Sequence, residues 1–254
     1  MDRAGIVLLL GSAPDALRAR DLSRQGIDRV VAINNAWAVR ADWDHLLHPS
    51  DFPPERMPPA PGPGQRVHGH EDYVPAVNAF GGFVFAGGTM AFTAAYWALA
   101  ALRPRLIVFL GCDMIYDARG ATHFYGRGRA DPLRPDPTLQ SLEAKSARLQ
   151  VLAAEQGCAV ANLSDRPASR LVVPRIAPAA LAGWVEGDSR RLCDGLLTPA
   201  ACGLAAQARA LEADLGYAAP DGRYWRMLDR VDPAALRLVD ALWLAAARSY
   251  SAAA

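Results

Sequence analysis

The sequence predicts an α/β protein: a doubly wound, mainly parallel sheet followed by a C-terminal helical appendage. Three observations carry this prediction. From Gly5 to Ser164, short apolar runs alternate with helical patterns, the order that builds parallel sheets. The run Leu106–Leu110, Leu-Ile-Val-Phe-Leu, is continuous, apolar and short, as a strand buried on both faces must be. Beyond Pro174 only helix signals remain.

Composition narrows the function classes. With 254 residues and 52% hydrophobic content, the chain has enough apolar surface for one large domain, or one domain with an appendage. Lys+Arg 27 against Asp+Glu 26 leaves a net charge of +1, which argues against a general nucleic-acid binder. Cys112, Cys158, Cys193 and Cys202 lack CxxC spacing, so neither a zinc site nor a disulfide framework is expected, and a reducing cytoplasm fits. The apolar run Ile6–Leu10 has no basic flank and is too short for a signal peptide. The apolar stretch from Thr89 to Leu102 is shorter than the ~20 residues that a membrane span needs.

The elements follow in order. Gly5 to Leu10 reads as the first strand. It ends in Gly11-Ser12-Ala13-Pro14-Asp15, with Ala16 to Gln25 predicted helical; Gly11 permits close backbone approach, and a helix start offers N–H groups to a phosphate. Arg29 to Ile33 is the second strand, ending in Asn34-Asn35, two amides that can read a base, a ribose or a sugar. His45 to Leu47 is the third, leading to His48-Pro49-Ser50-Asp51. Seven prolines between residues 49 and 65 make an irregular excursion. His68-Gly69-His70-Glu71 has a His-x-His pair but no third ligand in place, so no metal is expected there.

Gly87-Gly88-Thr89 opens a helix that is apolar on almost every face, an anion-ready start for a buried helix. After Leu106–Leu110 come Gly111-Cys112-Asp113-Met114-Ile115-Tyr116, then a Gly/Arg-rich loop with Thr122-His123-Phe124-Tyr125-Gly126. Ligands of open parallel sheets sit beyond the carboxyl ends of the strands, which marks Asp113, Tyr116 and His123. Residues 117–135 have few apolar anchors and are expected to act as a mobile lid. Asp136-Pro137 predicts a long helix with Leu139, Leu142, Leu149 and Leu152 on one face. Cys158 to Ala161 is the last strand, ending in Asn162-Leu163-Ser164. Thr198-Pro199 and Asp232-Pro233 open further helices, with Leu238, Leu242 and Trp243 as the last apolar stripe.

Taken in order, these motifs resemble bacterial sialyltransferases of the lipooligosaccharide-modifying type and the related flagellin-modifying motility accessory glycosyltransferases. The shared pieces are Gly11-Ser12-Ala13-Pro14, Ile33-Asn34-Asn35, His48-Pro49-Ser50, Gly87-Gly88-Thr89, Gly111-Cys112-Asp113, His123-Phe124-Tyr125-Gly126 and Asn162-Leu163-Ser164, across residues 5–173. The resemblance implies a Rossmann-like nucleotide-sugar-binding domain over residues 1–174 and a helical appendage over 175–254. It also implies a transferase that uses a nucleotide sugar such as a CMP-sugar as donor, a glycan or protein as acceptor, and no metal or other cofactor. Carried over, His123 is the general base. Asn34, Gly88, Thr89 and Asp113 hold the nucleotide, and Tyr116 stabilises the leaving phosphate. Gly11, Ser12, Asn35, His48, Ser50, Gly87, Gly111, Cys112, Asn162 and Ser164 complete the substrate-binding set. Ser12 and His48 stand where the family carries Asn, and Tyr116 lies one position beyond the expected tyrosine, which leaves the donor open.

The residue types suit the chemistry. Histidine titrates near ~6.5, suitable for a base near neutral pH, and a leaving phosphate wants N–H or hydroxyl donors. Two other readings stay open: a Mg²⁺-dependent pterin-diphosphokinase-like transferase using Asp113 and Asp117, and a non-catalytic nucleotide-binding protein. The last helix allows peripheral contact with the inner face of the membrane, and a homo-oligomer is also open.

Overall fold

The computed structural model describes residues 4–116, 120–128 and 134–248. Its centre is one sheet of six strands: β1 (Ile6–Leu10), β2 (Arg29–Ile33), β3 (His45–Leu47), β4 (Arg66–His68), β5 (Leu106–Leu110) and β6 (Ala159–Asn162). The order is β4-β3-β2-β1-β5-β6, and every neighbouring pair is parallel. β1 and β5 are buried along their whole length and lie in register, Ile6 beside Leu106 and Leu10 beside Leu110. The chain builds outwards from β1 to β4, then returns to β1's other side with β5 and β6. Right-handed crossovers therefore put the early connections on one face and the later helices on the other. This is the Rossmann-like α/β architecture that the alternation predicts.

Three helices link β4 to β5: α1 (His70–Asn78), α2 (Phe83–Ala86) and α3 (Met90–Ala101). Thr89 caps α3, its hydroxyl accepting from Phe92 N, and α3 is buried from Phe92 to Leu99. α4 (Leu142–Glu155) links β5 to β6, and α5 (Glu186–Leu196), α6 (Pro199–Leu215) and α7 (Pro233–Arg248) follow. Thr198 caps α6 through Ala201 N, and Asp232 accepts from Ala234 N at the start of α7.

Several elements depart from expectation. The predicted helix over Ala16 to Gln25 is instead a 3₁₀ helix, Pro14–Arg20, and Gly26 at φ 84 turns the chain into β2. Another 3₁₀ helix, Asn34–Ala38, follows β2. The long helix expected from Asp136 is split. Asp136 caps only the turn Pro137–Leu139, and Ser141 supplies a second cap, accepting from Ala144 N at 3.2 Å, where α4 begins. On α7 the buried side chains are Leu236, Val239, Asp240, Trp243 and Ala246, whereas Leu238 is 63% exposed. Leu238 and Trp243 are five positions apart, which places them on different sides of a 3.6-residue helix.

α4 is buried nearly all round because α7 covers the face turned away from the sheet. That face carries Lys145 and Arg148. Lys145 Nζ donates to Asp240 Oδ1 on α7 at 2.8 Å. Arg148 donates from Nε and Nη2 to the two oxygens of Glu212 on α6 at 2.8 and 2.7 Å, from Nη1 to Tyr96 OH, and from Nη2 to Phe80 O. Trp243 Nε1 donates to Glu212 Oε1 at 2.7 Å. Burial disfavours the Arg148 charge, but Tyr96 and Glu212 more than offset this and raise its pKa. No helix among the described residues is long and apolar enough to cross a membrane.

At the β3–β4 edge, His45 Nδ1 and His68 Nε2 lie 3.0 Å apart beside the Trp97 ring, and His68 Nδ1 reaches Asp72. His70 points to solvent, so the His-x-His pair diverges, and no group of three metal-binding side chains occurs among the described residues. Burial, then His68, pushes the His45 pKa down to about 4, and burial lowers His68 as well. Both rings are neutral in the fold, whereas the unfolded chain takes up protons below about 6.5. Stability is therefore held above the unfolded pKa and lost as pH falls through that window. Denaturant unfolding at pH 7 and pH 5 should show the wild type losing about 1–2 kcal/mol more than His45→Gln, after discounting for partial exposure. Equal losses in the two proteins would refute the assignment.

Candidate functional site

A cleft of about 200 Å³ opens where the sheet order reverses, between the loops after β1 and β5. Gly11 and Gly111 make this possible. Gly11 N donates to Leu110 O at 2.8 Å and Ala13 N to Gly111 O at 3.0 Å, so the two loops touch backbone to backbone. A Cβ on Gly11 would collide with Gly111 O, and Gly111 itself has φ 72. Larger residues would force the loops apart and close off the crevice that parallel sheets offer at this point.

Of the residues expected from sequence, Gly11, Ser12, Asn34, Asn35, Thr89, Gly111, Cys112, Tyr116 and His123 line the cleft. His48, Ser50, Gly87, Gly88, Asp113, Asn162 and Ser164 do not. His48 Nδ1 bonds Pro49 O and its ring faces Phe52. Ser50 is an exposed turn residue. Gly87 packs over Lys145, away from the opening. The carbonyl of Gly88 accepts from Arg134 at 3.0 Å, and Tyr224 OH bonds Arg134 and Asp136, so this side of the turn is covered by protein.

Asp113 is fully buried, with one carboxylate oxygen bonded and Oδ2 without a partner among the described residues. Oδ1 accepts from Asn162 Nδ2 at 2.8 Å; Asn162 Oδ1 accepts from Ser164 N, and Ser164 Oγ donates to Asp15 Oδ2 at 2.9 Å. This chain of bonds ties the ends of β5 and β6 to the turn after β1. Burial, with the nearby Asp113 charge, raises the Asp15 pKa against the Ser164 hydrogen bond. Burial, then Asp113 and Asp15, holds the Cys112 thiol well above its ordinary value, so Cys112 contributes backbone and volume rather than a nucleophile.

His123 is 7% exposed and sits in a tight turn in which its N–H and carbonyl pair with Gly126. Phe124 N donates to Ser12 O at 2.9 Å, which fastens this turn to the loop after β1. Thr122 Oγ1 lies 2.8 Å from His123 Nδ1, while Nε2 makes no hydrogen bond among the described residues. Tyr125 stacks on the imidazole at 4.9 Å and Tyr116 lies at 6.0 Å. Burial lowers the His123 pKa, so the ring is a neutral imidazole at physiological pH. Of the expected lid, Asp117, Arg119 and Arg129 lie outside the described residues.

Asn34 has φ 54, an αL conformation that asparagine tolerates better than most residues, and its Oδ1 is buried without a partner among the described residues. Such an acceptor costs about 1–3 kcal/mol unless something in the cleft satisfies it. Sequence reasoning missed Met90 and Ala91, whose N–H groups are the first two of α3 and have no intrahelical partner. It also missed Phe52, Arg56, Met114 and Tyr125 on the walls. The helix-start signal was legible, but Thr89 is the cap, so the donors lie one and two residues beyond it. No carboxylate lines the cleft among the described residues. Comparison of the chain with protein-family models, with curated protein sequences and with solved structures finds no match.

Proposed function

We propose that this chain is a sialyltransferase-like glycosyltransferase that moves a sugar from a nucleotide-activated donor to an acceptor hydroxyl. The observation that carries the reading is His123: a neutral, nearly buried imidazole in a switch-point cleft, with Nδ1 engaged by Thr122 and Nε2 unengaged among the described residues. In this reading Nε2 takes the acceptor proton as the hydroxyl attacks the anomeric carbon. The bond to the nucleotide phosphate breaks, and the leaving phosphate meets the N–H groups of Met90 and Ala91 at the positive end of α3, with Tyr116 as a hydroxyl donor. Asn34 offers its unpartnered carbonyl oxygen to a base, ribose or sugar donor group. The diphosphokinase-like reading has less support, because its carboxylate Asp113 is buried against Asn162 and away from the cleft.

The test is nucleotide release from a panel of CMP-, UDP- and GDP-sugars, with and without acceptor glycans and with and without chelator. Release from one donor that persists in chelator supports the reading. Binding without release from every donor would leave a nucleotide-binding protein instead.

A further inference from the structure

The proline-rich excursion after β3 has a task in the cleft. Its first part supplies three cleft residues, Pro49, Phe52 and Arg56. Arg56 is held by backbone on both sides. Its N–H donates to Pro53 O at 2.9 Å, closing the 3₁₀ turn Pro54–Arg56, and its carbonyl accepts from Trp37 Nε1 at 2.9 Å. Met57 then packs against the core. The side chain is treated differently from the backbone: the guanidinium is exposed and makes no hydrogen bond or ion pair among the described residues. Arg24, Arg40, Arg148, Arg170 and Arg209, by contrast, each face a carboxylate. Arg56 is also the one permanently charged side chain among the described lining residues, in a cleft that already holds the first N–H groups of α3.

We propose that Arg56 is the anion-reading residue of this cleft, its planar fork taking an oxyanion of the substrate, a nucleotide phosphate or an acidic sugar's carboxylate. The proposal deepens the glycosyltransferase reading and rests on it for the kind of substrate. Physically, a guanidinium presents paired N–H donors that match phosphate and carboxylate geometry, which a lysine does not. The prolines restrict the backbone that presents it, so less ordering remains for binding to impose.

The experiment is calorimetric titration of the full chain and of Arg56→Gln and Arg56→Lys with CMP, cytidine and N-acetylneuraminic acid. If the phosphate is read, Arg56→Gln weakens CMP about tenfold or more, leaves cytidine unchanged, and Arg56→Lys falls between. If the carboxylate is read, the loss falls on N-acetylneuraminic acid instead. Melting temperature stays near the wild-type value in both variants, since the exposed guanidinium makes no hydrogen bond or ion pair among the described residues. Arg56→Gln binding every ligand as the wild type does, or a wild type that binds neither anion, overturns the proposal. CMP binding that depends on Arg56 in a protein that never cleaves a CMP-sugar keeps this assignment and sinks the enzyme reading. Transfer by Arg56→Gln with unchanged kcat and KM does the reverse.

Discussion

Arg148→Met destabilises the fold by about 3–5 kcal/mol, the cost of leaving a buried charge without its partner. Glu212 is 7% exposed and keeps only the Trp243 N–H, while Tyr96 OH and the Phe80 carbonyl lose their donor. The methionine fills much of the space, so lost packing is a minor part. The contrast is Arg170→Met. Arg170 meets Glu143 at 3.0 Å, but the two side chains are 45% and 37% exposed, and such pairs contribute about 0–1 kcal/mol. Thermal and denaturant unfolding of both variants compares them directly, and the larger change should lower Tm by roughly 10 °C in a chain of this size. If Arg148→Met costs no more than Arg170→Met, the network is not what fastens α4 to α6. Arg148→Met with Glu212→Leu should recover part of the loss, because an apolar pair leaves no buried charge.

His123→Ala lowers the transfer rate by about 10²–10⁴-fold while donor affinity changes little, if His123 is the base. The base acts on the acceptor hydroxyl, whereas the groups placed to hold the donor, Asn34 and the start of α3, lie on other elements. The wild-type pH profile gives a second reading. Burial lowers the His123 pKa, so the basic form persists below the ordinary histidine range, and the rate should fall only as pH drops through that depressed value. His123→Ala should lose this acid limb along with the rate. Near wild-type turnover in His123→Ala would remove His123 from the mechanism and with it the main support for a transferase. Measuring donor Kd apart from single-turnover rate separates the two effects.

The sheet was legible because its strands carry the densest signal in the chain. Arg29–Ile33, His45–Leu47 and Leu106–Leu110 are short apolar runs, and each forms a strand with those bounds. β4 was not, since Arg66, Val67 and His68 have one apolar residue among them and follow the proline excursion. α1 was hidden by Pro75 in its interior. The connection after β1 read as helical but forms a 3₁₀ helix, because hydrogen-bond closure is a geometric outcome that composition does not encode. In the site, strand-end residues were readable from position alone, and Gly11, Asn34 and Gly111 reach the cleft. What position could not reveal is direction: Asp113 follows Cys112 directly, yet its carboxylate turns to Asn162. Long-range pairs such as Lys145 with Asp240 were invisible for the same reason, as neither residue's neighbours mark it as buried.

The strand order also sets a timetable. β1 pairs with β2 soon after both are made, but its other edge waits for β5, the whole proline excursion and three helices later in the chain. Until Leu106–Leu110 emerges from the ribosome, the apolar strand Ile6–Leu10 has one open edge and no ceiling. Arg148 then waits longer still, because Glu212 and Trp243 lie further along the chain. Non-local pairings of this kind fold slowly and leave sticky edges exposed in the interval. A nascent chain halted between β4 and β5 therefore keeps that apolar edge exposed, and it is β5 that covers it.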